Sequence, residues 1–366
     1  MIRVLQVATY MGRGGLESMI MNYYRHIDRE KVQFDFLVHR QFRADYDDEI
    51  ESLGGRIYRL PQLIPWSGSY KKALNRFFVD HPEYKIVHVH QDCLSSVILR
   101  AARQHGVPVR IAHSHNSSQD KNLKYPIKLY YRRQIPTYAT HLFACGQDAG
   151  IWMFRGKPFQ ILNNAIDAKK YRFDPAQLKQ IREEFEIPAG SFVIGHVGRF
   201  ALQKNHKFLI DIFAEVQKRQ ADARLLLVGD GDLRSAMESK VTSLGLSEKV
   251  IFAGVRSDVA DLMQAMDVFV FPSLYEGLPV TMIEAQAAGL PCIISDKVPP
   301  ECILTEGLVD VMPLSASPET WAEKILAKRA IPRTDRRAEI AAHGFDITTE
   351  AVKLQEFYIN AYEQNC

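Results

Sequence analysis

Two glutamates in the segment PSLYEGLPVTMIEAQAAGLPCIISD (residues 272–296) are spaced to hold a polar ligand from two sides. Gly277 to Pro279 reads as a turn and Thr281 to Ala288 as a helix stopped by Gly289 and Pro291. A helix that starts beneath the carboxyl end of a strand turns unpaired amides and its positive dipole end toward an anion such as phosphate. Glu284, one turn into that helix, can accept hydrogen bonds from vicinal hydroxyls, while Glu276 faces a sugar from across the turn. Met282, Ile283, Ala285, Ala287 and Ala288 make the surroundings of Glu284 apolar, and a buried carboxylate needs a partner. Upstream, a strand ending at Gly198 leads into Arg199 and Lys204, two cations five residues apart on one loop. They suit a diphosphate, Arg by bidentate hydrogen bonds and Lys as a point charge.

The elements that must position these residues are short apolar strands alternating with helical stretches. Strands are expected at Arg3 to Thr9, Gln33 to His39, Arg56 to Leu60, Ile86 to His90, Val109 to His113 and His141 to Cys145. A second series runs through Phe192 to Val197, Arg224 to Val228, Val250 to Ala253, Val268 to Phe271 and Pro291 to Ser295. The runs are continuously apolar, as strands of a parallel sheet covered on both faces must be. The pattern is an α/β, doubly wound fold written twice, with a boundary near residue 168 inside the polar stretch 163–177. The tail 347–364 repeats apolar residues at helical spacing, so the expected domains are 1–168, rejoined by a helix at about 347–366, and 169–346.

At 366 residues, 46% of them hydrophobic and 24% charged, the chain has the composition of a soluble globular protein with two cores. Its five cysteines show no metal spacing and no CxxC pair, which suits reduced thiols in the cytosol. No signal peptide and no spanning helix is expected. Net charge is +3 but unevenly shared: residues 1–168 carry 23 Lys+Arg against 15 Asp+Glu, the remainder 23 against 28. The first half is therefore the side for an anionic partner. Within it, residues 121–138 set Lys121, Lys124, Lys128, Arg132 and Arg133 among Leu123, Tyr125, Ile127, Leu129, Tyr130 and Tyr131. That element suits either the surface of an anionic membrane or a solvated helix face over a core. Balanced overall charge and the lack of a recognisable motif speak against nucleic acid.

Glycine-rich turns follow the first strand (Gly12, Gly14, Gly15) and the strand ending at Val228 (Gly229, Gly231). Neither completes a dinucleotide fingerprint, because Glu17 and Arg234 stand where the third glycine belongs. Strand Val109 to His113 leads into His115, and both histidines sit at a strand end where ligands bind.

Glutamate, seven residues, glutamate, with GLP after the first, resembles the nucleotide-sugar motif of retaining glycosyltransferases of family 4, including bacterial exopolysaccharide and capsular polysaccharide enzymes. The Gly198-Arg199 and Lys204 pair, the glycine-rich first loop, NNAID (163–167) and the loop of Val255 and Arg256 fit that family in the same order. NNAID keeps Asn164 and Asp167 but has Ala165 where the family has glycine. The resemblance implies the GT-B architecture, in which two doubly wound Rossmann-like domains face each other across a cleft. It implies a nucleoside-diphosphate sugar as donor, most often a UDP-sugar, and transfer with retained configuration at the inner face of the cell membrane. The acceptor would be a saccharide, with the basic first half favouring a lipid-linked one.

Family roles carried onto this chain give Arg199, Lys204 and the amides after Gly277 to the diphosphate, Glu284 to the ribose, and Glu276 with His115 to the sugar. His113 is the alternative to His115. Gly14, Gly15, Gly198, Val255, Arg256, Gly277, Leu278 and Pro279 complete the donor contacts. No metal and no cofactor besides the donor is implied. Two rivals stay open: a nucleotide-sugar epimerase of the same architecture, and a non-catalytic sugar-nucleotide-binding partner.

Overall fold

Each half of the chain folds its apolar runs into a wholly parallel sheet, because helices between successive strands carry the chain back to the starting edge. The computed structural model describes residues 1–116 and 124–366. Residues 1–165 with 347–366 make one unit and residues 166–346 the other.

The first unit holds β1 (Ile2–Ala8), β2 (Val32–Val38), β3 (Ile57–Arg59), β4 (Ile86–Val89), β5 (Val109–Ser114), β6 (His141–Ala144) and β7 (Gln160–Ile161), in the order β3-β2-β1-β4-β5-β6-β7. Register is set at the centre, where Val4 of β1 pairs with Phe34 on one side and Ile86 on the other. Two apolar layers cover the sheet, one around Tyr23, Tyr24, Phe34 and Tyr358 and the other around Tyr70, Phe77, Leu99 and Phe154. The final helix, Ile347–Asn365, belongs to the first layer: Ile347, Ala351, Leu354, Tyr358 and Ala361 are buried at helical spacing.

The second unit repeats the plan with β8 (Val193–Val197), β9 (Arg224–Val228), β10 (Val250–Gly254), β11 (Val268–Phe271), β12 (Cys292–Ser295) and β13 (Val309–Met312), in the order β10-β9-β8-β11-β12-β13. β8 and β11, and likewise β1 and β4, flank the point at which strand order reverses. In open α/β sheets the crevice for ligands opens there, beyond the strands' carboxyl ends.

Two strands were not expected from the sequence, β7 and β13. Both lie on sheet edges, where a strand needs no continuous apolar run: Gln160 and Ile161 are exposed, and so is Val311. The unit boundary falls three residues before position 168, because Ile166 already bridges to Asp346 within the second unit. The basic stretch forms a helix over Tyr125–Tyr138, with Ile127, Tyr130 and Arg133 exposed along one stripe. Its neighbour Arg132 instead lies 4.7 Å over the Trp152 ring and donates to the Trp152 carbonyl. Lys121 and Leu123 lie outside the described residues. Among the described residues no helix is long and apolar enough to cross a membrane.

Candidate functional site

The loops after β8 and β11 are tied together by one backbone bond and one side-chain amide. Leu274 N–H donates to the Gln203 carbonyl at 2.8 Å, and the Asn205 side-chain amide donates to the Pro272 carbonyl at 3.1 Å. Asn205 takes a left-handed φ of 56°, which ends the short turn Leu202–Lys204 and starts the helix His206–Arg219. Lys204 is thereby aimed inward: its Nζ lies 2.7 Å from Glu276 Oε1 and 4.6 Å over the Phe271 ring. Gln203 Nε2 donates to the other oxygen, Glu276 Oε2, at 3.1 Å and to the Tyr275 carbonyl at 3.0 Å. The Glu276 carboxylate, 6% exposed, is held by two loop side chains, so its orientation is fixed without a ligand.

Arg199 is different. Its side chain is 70% exposed, and its 3.5 Å approach to the equally open Asp232 is a weak surface contact. The loop that carries it is rigid nonetheless. Gly198 N–H donates to Val228 O, Phe200 N–H to Asp230 O and Leu233 N–H to Phe200 O. Gly229 takes a φ of +134°, and a Cβ there would stand 2.2 Å from the Gly198 carbonyl oxygen. The glycine is thus the reason that the Arg199 loop can lie against the end of β9. Contrary to the sequence reading that no Asp-x-Asp stands at a strand end, Asp230-Gly231-Asp232 follows β9, and its carboxylates pair with Arg234 and Arg199.

The helix Val280–Ala287 starts one residue earlier than the sequence suggested, with Pro279 at its cap, no side-chain cap and no acidic residue in the first turn. Its leading amides are left for an anion. Glu284, half-buried, accepts from Tyr171 Oη at 2.6 Å through Oε1. Burial pushes its carboxyl above the ordinary value, and the tyrosine's hydrogen bond pulls the other way. Gly277 is exposed, Leu278 packs on the core and Pro279 is buried, so Gly277 and Leu278 offer a ligand backbone rather than side chains. Val255 is 67% exposed. The Arg256 guanidinium is committed to Asp258 at 2.6 Å and Glu184 at 3.1 Å.

In the first unit Gly14 and Gly15 are exposed at the start of the helix Gly15–His26, and a Cβ on Gly14 would meet Glu17 Oε2 at 2.3 Å. His115 Nε2 lies 2.9 Å from His90 Nδ1, and His90 Nε2 lies 2.9 Å from Gln6 Oε1. Burial lowers His115 to about 3, so the ring is neutral in any physiological buffer. His113, its neighbour along the chain, is fully buried and stacks at 4.0 Å from His115. With His88 the four rings share one face of the sheet, and His88, His90 and His113 are the described residues whose side chains group as metal ligands do. The sequence reading treated His113 and His115 alone; the second H-x-H, at His88 and His90, was the signal for the rest. Gln203 and Tyr171 were also missed, and Tyr171 could not have been found by spacing, since it reaches Glu284 across 113 positions.

Two doubly wound parallel sheets in series, one of which gathers a Lys–Glu pair, an exposed Arg and an uncapped helix start at its switch point, place the chain in the GT-B fold class. Residues 13–170 match the family described as Glycosyltransferase Family 4 and residues 191–328 the one described as Glycosyl transferases group 1. EpsF of Bacillus subtilis (strain 168), a chain carrying a glycosyltransferase name, is 38% identical over 97% of this chain and 96% of its own. An Escherichia coli protein named UDP-Gal:alpha-D-GlcNAc-diphosphoundecaprenol alpha-1,3-galactosyltransferase is 28% identical over 76% of each chain. The crystal structure of Anabaena HepE in complex with UDP-glucose superposes with a TM-score of 0.78 at 19% identity, covering 98% of this chain and all of that one, which shows the GT-B fold. The chain belongs to the family 4 glycosyltransferases.

Proposed function

We propose that this chain moves a hexose from a UDP-sugar to a lipid-linked saccharide, with retention at the anomeric carbon, at the inner face of the cell membrane during assembly of a cell-surface polysaccharide. The observation that carries the reading is the Lys204–Glu276 pair, 2.7 Å long and fixed by loops from the two strands at the switch point. A lysine already desolvated against Phe271 and a carboxylate suits a departing diphosphate better than solvated surface cations do, because its charge is oriented before the ligand arrives. Arg199, exposed beside it, adds bidentate hydrogen bonds, and the amides at the start of Val280–Ala287 add partial positive charge. Interactions that tighten as the leaving group gains charge lower the barrier as well as bind. The diphosphate is neutralised by these protein groups, so the reading needs no metal there.

Glu284 takes the ribose hydroxyls with the oxygen that Tyr171 leaves free, and Glu276 takes the donor sugar. Gly14, Gly15 and Gly198 allow close backbone approach to the donor, and the backbone of Val255 and Arg256 borders the base. In a course where the acceptor attacks the face that the diphosphate vacates, the phosphate itself takes the acceptor proton, and no separate base is required. UDP and the lipid-linked acceptor are supported by the names of the relatives, one of which specifies UDP-galactose and a diphosphoundecaprenol-linked sugar. The exposed stripe of Ile127, Tyr130 and Arg133 supports a peripheral membrane contact.

The test is turnover of a panel of UDP-hexoses with a diphosphoundecaprenol-linked sugar, with the new linkage read by NMR. The expected product keeps the donor's anomeric configuration. An inverted product, or an epimerised donor formed without acceptor, would replace this reading with another mechanism.

A further inference from the structure

Three buried histidines of the first sheet take no part in the proposed transfer. β4 and the residue after it present His88 and His90 on one face, two positions apart, and the adjacent β5 presents His113 on the same face. Exposures are 1%, 5% and 1%, and one ligand nitrogen from each ring lies within 4.8 Å of the others. We propose that His88 Nε2, His90 Nδ1 and a ring nitrogen of His113 bind a divalent transition-metal ion of the zinc class inside the first unit.

The hydrogen bonds around the rings leave the nitrogens that such an ion needs. Gln6 Oε1 can only accept, so His90 Nε2 carries the proton and Nδ1 keeps its lone pair. His88 Nδ1 meets Tyr358 Oη at 2.6 Å, and its Nε2 has no partner. Neither nitrogen of His113 has a partner. Buried polar atoms without partners are uncommon because desolvation is not offset, and here His88 Nε2 and the His113 ring, both unpartnered, lie beside His90 in a group whose ligand atoms are within 4.8 Å of one another. Gln6 and Tyr358 stand where outer partners of metal-bound histidines stand, fixing ring orientation and tautomer.

The donor set selects the ion. Imidazole nitrogen suits zinc, cobalt, nickel and copper, whereas calcium and magnesium require oxygen. The rings are stacked, with centroids 4.4 Å apart for His88 and His90 and 5.2 Å for His88 and His113. Zinc–nitrogen bonds of about 2.0–2.1 Å in a tetrahedron put ligand atoms about 3.3 Å apart, a contraction that ring rotation supplies. His90 Nδ1 meets His115 Nε2 at 2.9 Å, and the ion would take the place of that bond. The ion would join β4 to β5 and, through Tyr358, hold the final helix to the sheet.

The experiment uses the full chain, stripped with chelator, desalted, reloaded with Zn2+ alone and gel-filtered. About one ion per chain is expected to stay bound, with a raised Tm. Co2+ in its place is expected to give the intense visible bands of four- or five-coordinate nitrogen ligation. His113→Phe and His88→Gln are expected to weaken retention at least tenfold, about the loss that follows disturbance of such a site. Zinc retained no better by the wild type than by the variants, or weak six-coordinate cobalt bands in the wild type, would overturn the proposal. The cobalt spectrum is read on the wild type, so a variant that fails to fold does not blur the result.

Discussion

Glu284 shares one carboxylate between Tyr171 and whatever ligand it holds, and this division decides how its variants behave. The 2.6 Å bond from Tyr171 engages Oε1, and the ligand is left Oε2. Tyr171→Phe is expected to raise the donor KM about tenfold, the worth of one charge-assisted hydrogen bond, with kcat near wild type. An unchanged KM would mean that the bond positions nothing. Lys204 should show the opposite split. Lys204→Ala removes charge from the leaving group and strands a buried Glu276, and kcat is expected to fall about 10²- to 10³-fold, measured at saturating donor. Lys204→Ala combined with Glu276→Gln separates the two causes: if the stranded carboxylate dominates, the second change restores much of the rate.

At the scale of elements, the loops are more constrained than their polarity suggests. Gly229 at φ +134° faces the Gly198 carbonyl, so Gly229→Ala is expected to cost at least about 1–3 kcal/mol locally and to push the Arg199 loop outward. A thermal-shift series with donor checks this: weaker stabilisation by the nucleotide than in wild type is expected, and equal stabilisation would show that the loop tolerates a Cβ. The central strands were legible because both sheet faces are buried and Leu225 to Val228 and Val268 to Phe271 are unbroken apolar runs; the edges β7 and β13 were not, because an edge strand carries no such signature. The site divided in the same way. Arg199, Lys204, Glu276 and Glu284 lie beside strand ends and turns, which local pattern reveals. Gln203 and Tyr171 are defined by pairing in three dimensions, whereas the stack of His88, His90 and His113 left a local trace in the repeated H-x-H at 88–90 and 113–115. Arg256, expected among the donor contacts, is ion-paired to Asp258 and Glu184, and the sequence cannot show that Glu184 folds back to it.

For the molecule as a whole, buried neutral histidines in both units set the response to acid. Burial lowers His39 in the first unit and His206 in the second from 6.5 to about 4. Near neutral pH both states are unprotonated there, so the groups cost nothing; as pH falls below about 6.5 the unfolded chain takes up protons that the fold refuses, and stability is lost down to about pH 4. Thermal melts from pH 7.5 to 4.5 are expected to show a falling Tm, with a shallower slope in His206→Gln; a flat profile would contradict the burial argument. The excess of positive charge in residues 1–168 gives a second response, flotation with anionic vesicles that weakens as salt rises. The central claim is that the switch-point crevice of the second unit clamps a sugar nucleotide, and calorimetric titration of the tightest of UDP-, GDP- and ADP-sugars into wild type, Glu284→Ala and Lys204→Ala tests it most directly. The account predicts one site in the wild type, at least tenfold weaker binding to folded Glu284→Ala, and binding to folded Lys204→Ala closer to that of the wild type. Equal affinity in all three proteins, or no binding by the wild type, would contradict it.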